Sequence, residues 1–407
     1  MKILFDPIYT GKVHKCASAV KFKKLFESLS KENSELFFYW IVPSWIDFDG
    51  ENWLPASDRI KYVKVEQERD RYKEYRRVSL EIEECYSYQG DLWDWDVAVT
   101  NRSGTVPTLT TVSNFHNNNS NNLKPILIVE DFPQMMFKGS SNAGSNIERD
   151  MYTVLGYQTA YETYICAYWE KKLILESAKA FLSPSELIRV RNKITECHPF
   201  ELGGSVNLKN KVFVSEQNSK PFTIVFAGRM VNGHHFDKIF SIMENNWALK
   251  SRERKINSVV CTQSATEGLV EVPMFVQVNH FKREQFHDFM INEASVGLFF
   301  SEEEDYSMSL IEPLLLGVPY AVYKAPWSVA SLGEDYPFFF KSEQEAYTIT
   351  KYFYDDYPTN YLRFAKWQQS SFKNLLLKRD LVTIQILVSD VLNKVGKKNG
   401  GNKNSKR

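Results

Sequence analysis

Residues 294–323 constrain the fold of this 407-residue chain more than any other stretch. They open with an apolar run, Ala294-Ser-Val-Gly-Leu-Phe-Phe300, of the length and composition of a buried strand, and close with Pro319-Tyr-Ala-Val-Tyr323, which reads as a second one. Between them Met308, Leu310, Ile311, Leu314 and Leu315 recur at helical spacing, Gly317 falls where a helix stops, and Pro319 lies two residues beyond it. Strand, acidic loop, short helix and strand make the core of a parallel βαβ unit, and parallel strands joined by a helix commit the domain to an α/β architecture.

The loop and helix carry two carboxylates, Glu304 and Glu312, eight residues apart. A helix starting near Ser307 leaves the N–H groups of Ser307, Met308 and Ser309 free to hold a phosphate, with the helix dipole adding to the attraction. Glu312 then lies about one turn further in, placed to accept hydrogen bonds from hydroxyls. A structural reading competes, because Ser309-x-x-Glu312 and Ser301-x-x-Glu304 both fit capping boxes. A second site weighs against coincidence. In Pro221-Phe-Thr-Ile-Val-Phe-Ala-Gly228-Arg229, an apolar strand ends in Gly228-Arg229 and opens into a loop before a helix over 236–244. That puts a guanidinium at the carboxyl end of a strand, where α/β sheets bind ligands, and its planar fork suits the paired oxygens of a diphosphate. An exposed structural arginine is the alternative at this position.

Together the two sites resemble the donor half of the retaining GT-B glycosyltransferases, whose signature is Glu-x7-Glu followed by a small-residue helix and Gly-x-Pro. The match runs Glu304-Asp-Tyr-Ser-Met-Ser-Leu-Ile-Glu312-Pro-Leu-Leu-Leu-Gly317-Val-Pro319. The resemblance implies an α/β chain of GT-B type, with two doubly wound Rossmann-like domains facing a cleft. It implies Glu304 on the donor sugar, Glu312 on the ribose, and the amides of Ser307, Met308 and Ser309 on the diphosphate. Gly228 and Arg229 would meet the leaving diphosphate. The family adds a lysine five residues after that arginine; here His234 stands there, so His234 or Lys238 one turn later carries the charge, or the donor site is altered. Asp305-Tyr306 replaces the family's Gly-aromatic pair, and Pro313 replaces a small residue, which suggests a helix that begins later. His280 stands where the family reads the nucleotide base through backbone groups, although a loop histidine is the plainer reading. The loop over 7–14, with Gly11 and His14, corresponds to one that faces the cleft, and Gly11 is equally a turn glycine. Glu130 and Asp131 end a strand where many relatives offer a group to the donor sugar; a helix-capping acid fits as well. Glu304, Arg229, Glu130 and Asp131 are thus the expected catalytic residues.

The rest of the chain fits this frame. With 43% hydrophobic and 14% aromatic residues there is ample core for two domains. Fifty basic and fifty acidic residues balance, so no global field draws the chain to nucleic acid or an anionic membrane. The five cysteines, Cys16, Cys85, Cys166, Cys197 and Cys261, are scattered without a CxxC, against a disulfide framework or zinc site. No apolar run reaches transmembrane length and the N-terminus carries no signal-peptide pattern, so no stable membrane insertion and a cytoplasmic location are expected, host cytoplasm if the gene is viral.

In order, Met1-Lys-Ile-Leu-Phe-Asp6 reads as a strand, 22–29 as a helix, 36–42 and 59–65 as strands, and 66–88 as a charged helix interleaved with tyrosines. Asp96-Val-Ala-Val-Thr100 is a strand whose polar exit loop makes Arg102 and Ser103, with His14, the candidates for acceptor contact. Residues 117–122 form a low-complexity loop, 126–131 a strand ending in two acids, 138–146 a lid-like loop and 157–178 a helix. Ala180-Phe-Leu-Ser-Pro-Ser185-Glu186 resembles the last strand of the first domain, where the family often has a strand ending in Ser before a short helix. The expected domains are 1–200 on the acceptor side, 201–380 on the nucleotide-sugar side, a helix over 381–395 crossing back, and a disordered basic tail over 396–407.

A retaining hexosyl transfer from a nucleotide-diphosphate sugar, a UDP-sugar first, follows from the resemblance. The nucleotide sugar is a co-substrate, no separate cofactor is implied, and no DxD stands in a strand-loop context, so no metal is expected. The chain also resembles bacteriophage enzymes that glucosylate hydroxymethylated DNA bases, which makes double-stranded DNA the first expected acceptor. A polysaccharide or other glycan is the competitor, and a non-catalytic nucleotide-sugar-binding or interaction module, suggested by His234 in place of lysine, is the third reading.

Overall fold

A computed structural model describes residues 1–7, 17–44, 46, 54–65, 94–116, 123–129, 147–166, 168–197, 221–228, 235–249, 253, 256–262, 271–281, 283–302, 307–380 and 383–401. The expectations for 66–88, 117–122 and 138–146 fall outside these residues, as do residues 402–407 of the expected tail. The chain divides into two compact units, with divisions at Phe200/Glu201 and Asp380/Leu381.

The first unit is built on a seven-stranded parallel sheet in the order β3-β2-β1-β4-β5-β6-β7. Its strands are β1 (Lys2–Asp6), β2 (Phe37–Pro43), β3 (Ile60–Val65), β4 (Val97–Thr100), β5 (Ile126–Val129), β6 (Glu162–Ile165) and β7 (Ile194–Glu196). Helices α1 (Ala17–Glu32), α2 (Val106–His116), α3 (Ile147–Thr159), α4 (Tyr168–Ala178) and α5 (Pro184–Lys193) connect them, and the C-terminal α13 (Ile384–Gly401) belongs to the same unit. Alternate residues of each strand serve opposite faces, as the two-residue period demands. Ile3 and Phe5 join Phe22, Leu25, Trp40, Ile384 and Val388 on one face, while Leu4 joins Tyr39, Ile41, Val106 and Tyr157 on the other.

Three expectations are corrected in this unit. The single helix expected over 157–178 is two helices split by β6, which pairs with both β5 and β7. The segment 180–186 is no strand: Ser183 caps α5, accepting from the Glu186 amide while the Glu186 carboxylate accepts from the Ser183 amide, with Pro184 in the first turn. The last strand is β7, after that helix. The C-terminal helix also runs on to Gly401, past its expected end at 395.

The second unit holds a six-stranded parallel sheet in the order β10-β9-β8-β11-β12-β13. Its strands are β8 (Phe222–Ala227), β9 (Ile256–Cys261), β10 (Val276–Asn279), β11 (Val296–Phe299), β12 (Tyr320–Tyr323) and β13 (Phe339–Phe340). Around it lie α6 (Phe236–Asn246), α7 (Arg283–Asn292), α8 (Met308–Leu315), α9 (Pro326–Leu332), α10 (Glu343–Asp355), α11 (Tyr357–Trp367) and α12 (Lys373–Asp380), with a π turn over Gln368–Phe372 between the last two. The expected β11–α8–β12 unit is present, and β11 and β12 pair in parallel with Gly297 opposite Tyr320. Gly297 is obligatory there, because a Cβ would fall inside the Tyr320 ring.

Candidate active site

Each sheet has one place where the strand order reverses, and ligands of doubly wound folds bind at the carboxyl ends of the strands there. In the first sheet this place lies between β1 and β4, and it is filled from within. Asp6 and Arg102 are 0% and 2% exposed. The Arg102 guanidinium clamps both Asp6 oxygens, Nε at 3.1 Å from Oδ2 and Nη2 on Oδ1. Thr100 Oγ1 and Thr105 Oγ1 donate to the same carboxylate at 2.8 and 3.1 Å. Arg102, expected to touch an acceptor, is therefore a structural residue that ties the β4 exit loop to β1. Ser103 is fully buried in the short 3₁₀ turn Ser103–Thr105 and presents no surface to a ligand either.

In the second sheet the reversal lies between β8 and β11, and its edge carries accessible charge. Phe226, Ala227, Phe236, Ile239, Leu298, Phe299 and Phe300 line a small recess at this point. Gly228 leaves β8 with its amide on the Cys261 carbonyl at 3.1 Å. His235, in a left-handed conformation, caps α6 and sits edge-on to Phe300. Lys238, one turn into α6, holds its ammonium 4.7 Å above the Phe300 ring and 3.5 Å from Glu302 Oε1, and His235 Nε2 is 3.4 Å from the same oxygen. A lysine thus stands at the end of β11, where the sequence left open whether His234 or Lys238 supplies the cation.

Helix α8 starts at this edge. Ser307 is its N-cap residue, buried, with its Oγ on Ser309 Oγ at 3.0 Å rather than on a backbone amide. Its carbonyl accepts from Leu310 and Ile311, so the amides of Met308 and Ser309 lie in the first turn, where a helix has no acceptor of its own to offer. The capping-box reading of Ser309 and Glu312 is not realised: Ser309 lies inside the helix and Glu312 beyond its first turn. Pro313 sits within the helix, whose start at Met308 is not delayed as the proline suggested. The far end is fixed by a Schellman turn, Val318 N–H on Pro313 O at 2.9 Å and Gly317 N–H on Leu314 O at 3.2 Å, with Gly317 at φ +85. Gln368, buried on the π turn, adds a side-chain donor to the Leu314 carbonyl at 2.5 Å. Such turns are frequent at functional places in helices.

Glu312 keeps 18% of its side chain exposed and faces His287 of α7, Nε2 to Oε2 3.9 Å. His287 carries no signal in the sequence, where it is one histidine on an amphipathic helix. His280 follows β10, exposed, with Nδ1 3.2 Å from the Thr262 carbonyl. Arg229, His234, Glu304, Glu130, Asp131, Gly11 and His14 lie outside the described residues. Among the described residues no group of His, Cys, Asp and Glu is placed to hold a metal ion, and no helix is long and apolar enough to cross a membrane.

Two doubly wound parallel α/β units in succession are the fold of the GT-B glycosyltransferases. Sucrose-phosphate synthase from Thermosynechococcus elongatus superposes with a TM-score of 0.68 at 10% identity, over 98% of this chain and 99% of that one. Alpha,alpha-trehalose 6-phosphate synthase from Burkholderia multivorans gives 0.62 at 10% identity, over 98% and 99%. HepE of Anabaena, solved in complex with UDP, gives 0.60 at 10% identity, over 97% and 100%. At these identities the likeness is one of fold. No family model matches the sequence, and no curated protein matches it by sequence.

Proposed function

We propose that this chain is a retaining hexosyltransferase that uses a UDP-sugar and glycosylates a hydroxyl group. The observation that carries the reading is the contrast between the two strand-order reversals: one is sealed by Asp6 and Arg102, and the other is edged by Lys238, Glu302, Glu312 and the start of α8. The donor binds at the second. Its diphosphate lies on the first-turn amides of α8 and on Lys238, with Arg229 added from the sequence motif, and Glu312 accepts hydrogen bonds from the ribose. Glu304 meets the hexose. As the glycosidic bond breaks, its electron pair passes to the departing diphosphate, and holding that charge with preset donors is the main electrostatic task. Neighbours solved with UDP, with UDP and glucose, and one described in terms of glycosyl transfer with retention support the donor and the stereochemistry.

For the acceptor, neighbours named for sucrose phosphate, trehalose phosphate and lipopolysaccharide outer core favour a saccharide hydroxyl. Hydroxymethylated DNA, the first expectation from the sequence, finds no support among them and stands second, on the basic composition of residues 396–407. The test is release of free nucleoside diphosphate from UDP-, GDP- and ADP-sugars, with sugar phosphates, oligosaccharides or hydroxymethylated duplex DNA as acceptor. Acceptor-dependent UDP release with a hexose added to a saccharide is expected. A hexose on the DNA base selects the second acceptor, and no release from any donor overturns the enzyme reading.

A further inference from the structure

The cation assigned to the diphosphate already holds an anion of the chain itself. Lys238 Nζ lies 3.5 Å from Glu302 Oε1, an ion pair between the start of α6 and the exit of β11. His235 Nε2 lies 3.4 Å from the same oxygen. The ammonium also stands 4.7 Å above the Phe300 ring, which is buried and stacked on Tyr323 at 4.7 Å. The Phe300 face therefore favours the ammonium at this edge whether or not Glu302 is beside it. Glu302 and Lys238 keep 54% and 33% of their side chains exposed, so a solute can reach the pair.

We propose that Glu302 competes with the nucleotide diphosphate for the Lys238 ammonium and so limits how tightly the nucleoside diphosphate product is held, a proposal that rests on the donor reading above. Carboxylate and diphosphate both offer anionic oxygens. The ammonium is a compact charge with three donors on a flexible stem, able to turn from one to the other. An ion pair this exposed contributes little, so a diphosphate, which carries more charge than one carboxylate, displaces it. The exchange leaves Glu302 beside His235. Every bound diphosphate forgoes the free energy of the Lys238–Glu302 pair, which loosens the departing UDP without shutting out the donor.

The experiment is calorimetric titration of the full chain with UDP, using wild type, Glu302→Gln, Lys238→Met and the double variant with both changes. Glutamine keeps the shape of Glu302 and removes its charge. Glu302→Gln should tighten UDP about two- to fivefold, the worth of an exposed ion pair. Lys238→Met should weaken UDP, and in that background the gain from Glu302→Gln should disappear. Weaker binding in Glu302→Gln makes Glu302 a support for Lys238 and overturns the competition, and unchanged binding overturns it as well. A gain that persists without Lys238 is plain repulsion between Glu302 and the ligand, which also overturns it. In these three results the donor site stands as long as Lys238→Met weakens UDP. Wild-type chain that binds no UDP, or UDP binding indifferent to Lys238→Met, overturns the place of Lys238 in the donor site and the proposal together.

Discussion

Asp6→Ala tests whether the strand-order reversal of the first sheet is a structural clamp or a ligand site. In the folded chain the Asp6 carboxylate accepts from the Arg102 guanidinium and from Thr100 and Thr105. Both threonines keep another acceptor when it is gone, Thr100 Oγ1 the Asp6 carbonyl at 3.2 Å and Thr105 Oγ1 the Arg102 carbonyl at 2.8 Å. The cost therefore comes from the guanidinium, which is 2% exposed and loses the carboxylate it clamps. Removing one partner of a buried ion pair costs about 3–5 kcal/mol, a large share of the roughly 5–15 kcal/mol that holds a domain folded. Arg102→Met takes the charge away and keeps much of the side-chain volume. Added to Asp6→Ala, the Arg102→Met change should restore part of the stability, because the buried charge that lost the Asp6 carboxylate is then gone, and the pair should fall short of additivity by at least about 2 kcal/mol. Since two units unfold, urea melts should be read through hydrogen exchange of the β1 and β4 amides, so that the first unit is followed by itself. A loss below about 1 kcal/mol for Asp6→Ala, or strict additivity, refutes the clamp. So does an Arg102→Met chain of wild-type stability that has lost all transfer, which would return Arg102 to a ligand.

Gly297→Ala should destabilise the second unit by about 1–3 kcal/mol, the cost of overpacking, because its methyl competes with the buried Tyr320 ring on the next strand; a thermal melt equal to wild type contradicts the register described. Burial pushes the Cys261 thiol up to about 12, so as pH rises past 9 the unfolded chain loses this proton and the folded chain keeps it, and folding stability falls. Cys261→Ala lacks that slope. The stability difference between wild type and the variant should therefore shift against wild type by about 1.4 kcal/mol per pH unit above 9, and a difference constant with pH refutes the burial account.

The parts of this molecule legible in sequence are those written in local pattern. The strand, loop and helix over 294–323 could be read because apolar period, Gly317 and Pro319 all agree, and the Schellman turn at Gly317 is the geometry that such a sequence encodes. Strand β6 was hidden because four residues, Glu162-Thr-Tyr-Ile165, owe their conformation to pairing with β5 and β7, which lie far away in sequence. Helix α5 was legible and misread: Ser183-Pro-Ser-Glu186 is a capping box with proline in the first turn, and the short apolar run before it drew the strand assignment instead. Arg102 looked like a ligand contact because a polar loop after a strand usually faces solvent. Its partner, Asp6, lies 96 residues earlier, and no local rule joins them. His287 was invisible for the same reason, since only the approach of α7 to α8 gives it meaning.

The central claim is that the nucleotide diphosphate sits on the start of α8 with its ribose on Glu312. Hydrogen exchange of the full chain with and without saturating UDP reads it directly, since ligand contact protects the amides it engages. UDP should slow exchange at Met308 and Ser309, and Glu312→Ala should raise the UDP concentration needed by about tenfold or more, the scale of charge-assisted hydrogen bonds to two hydroxyls. Protection of the 100–105 segment with α8 unchanged would place the nucleotide at the first sheet and contradict the account.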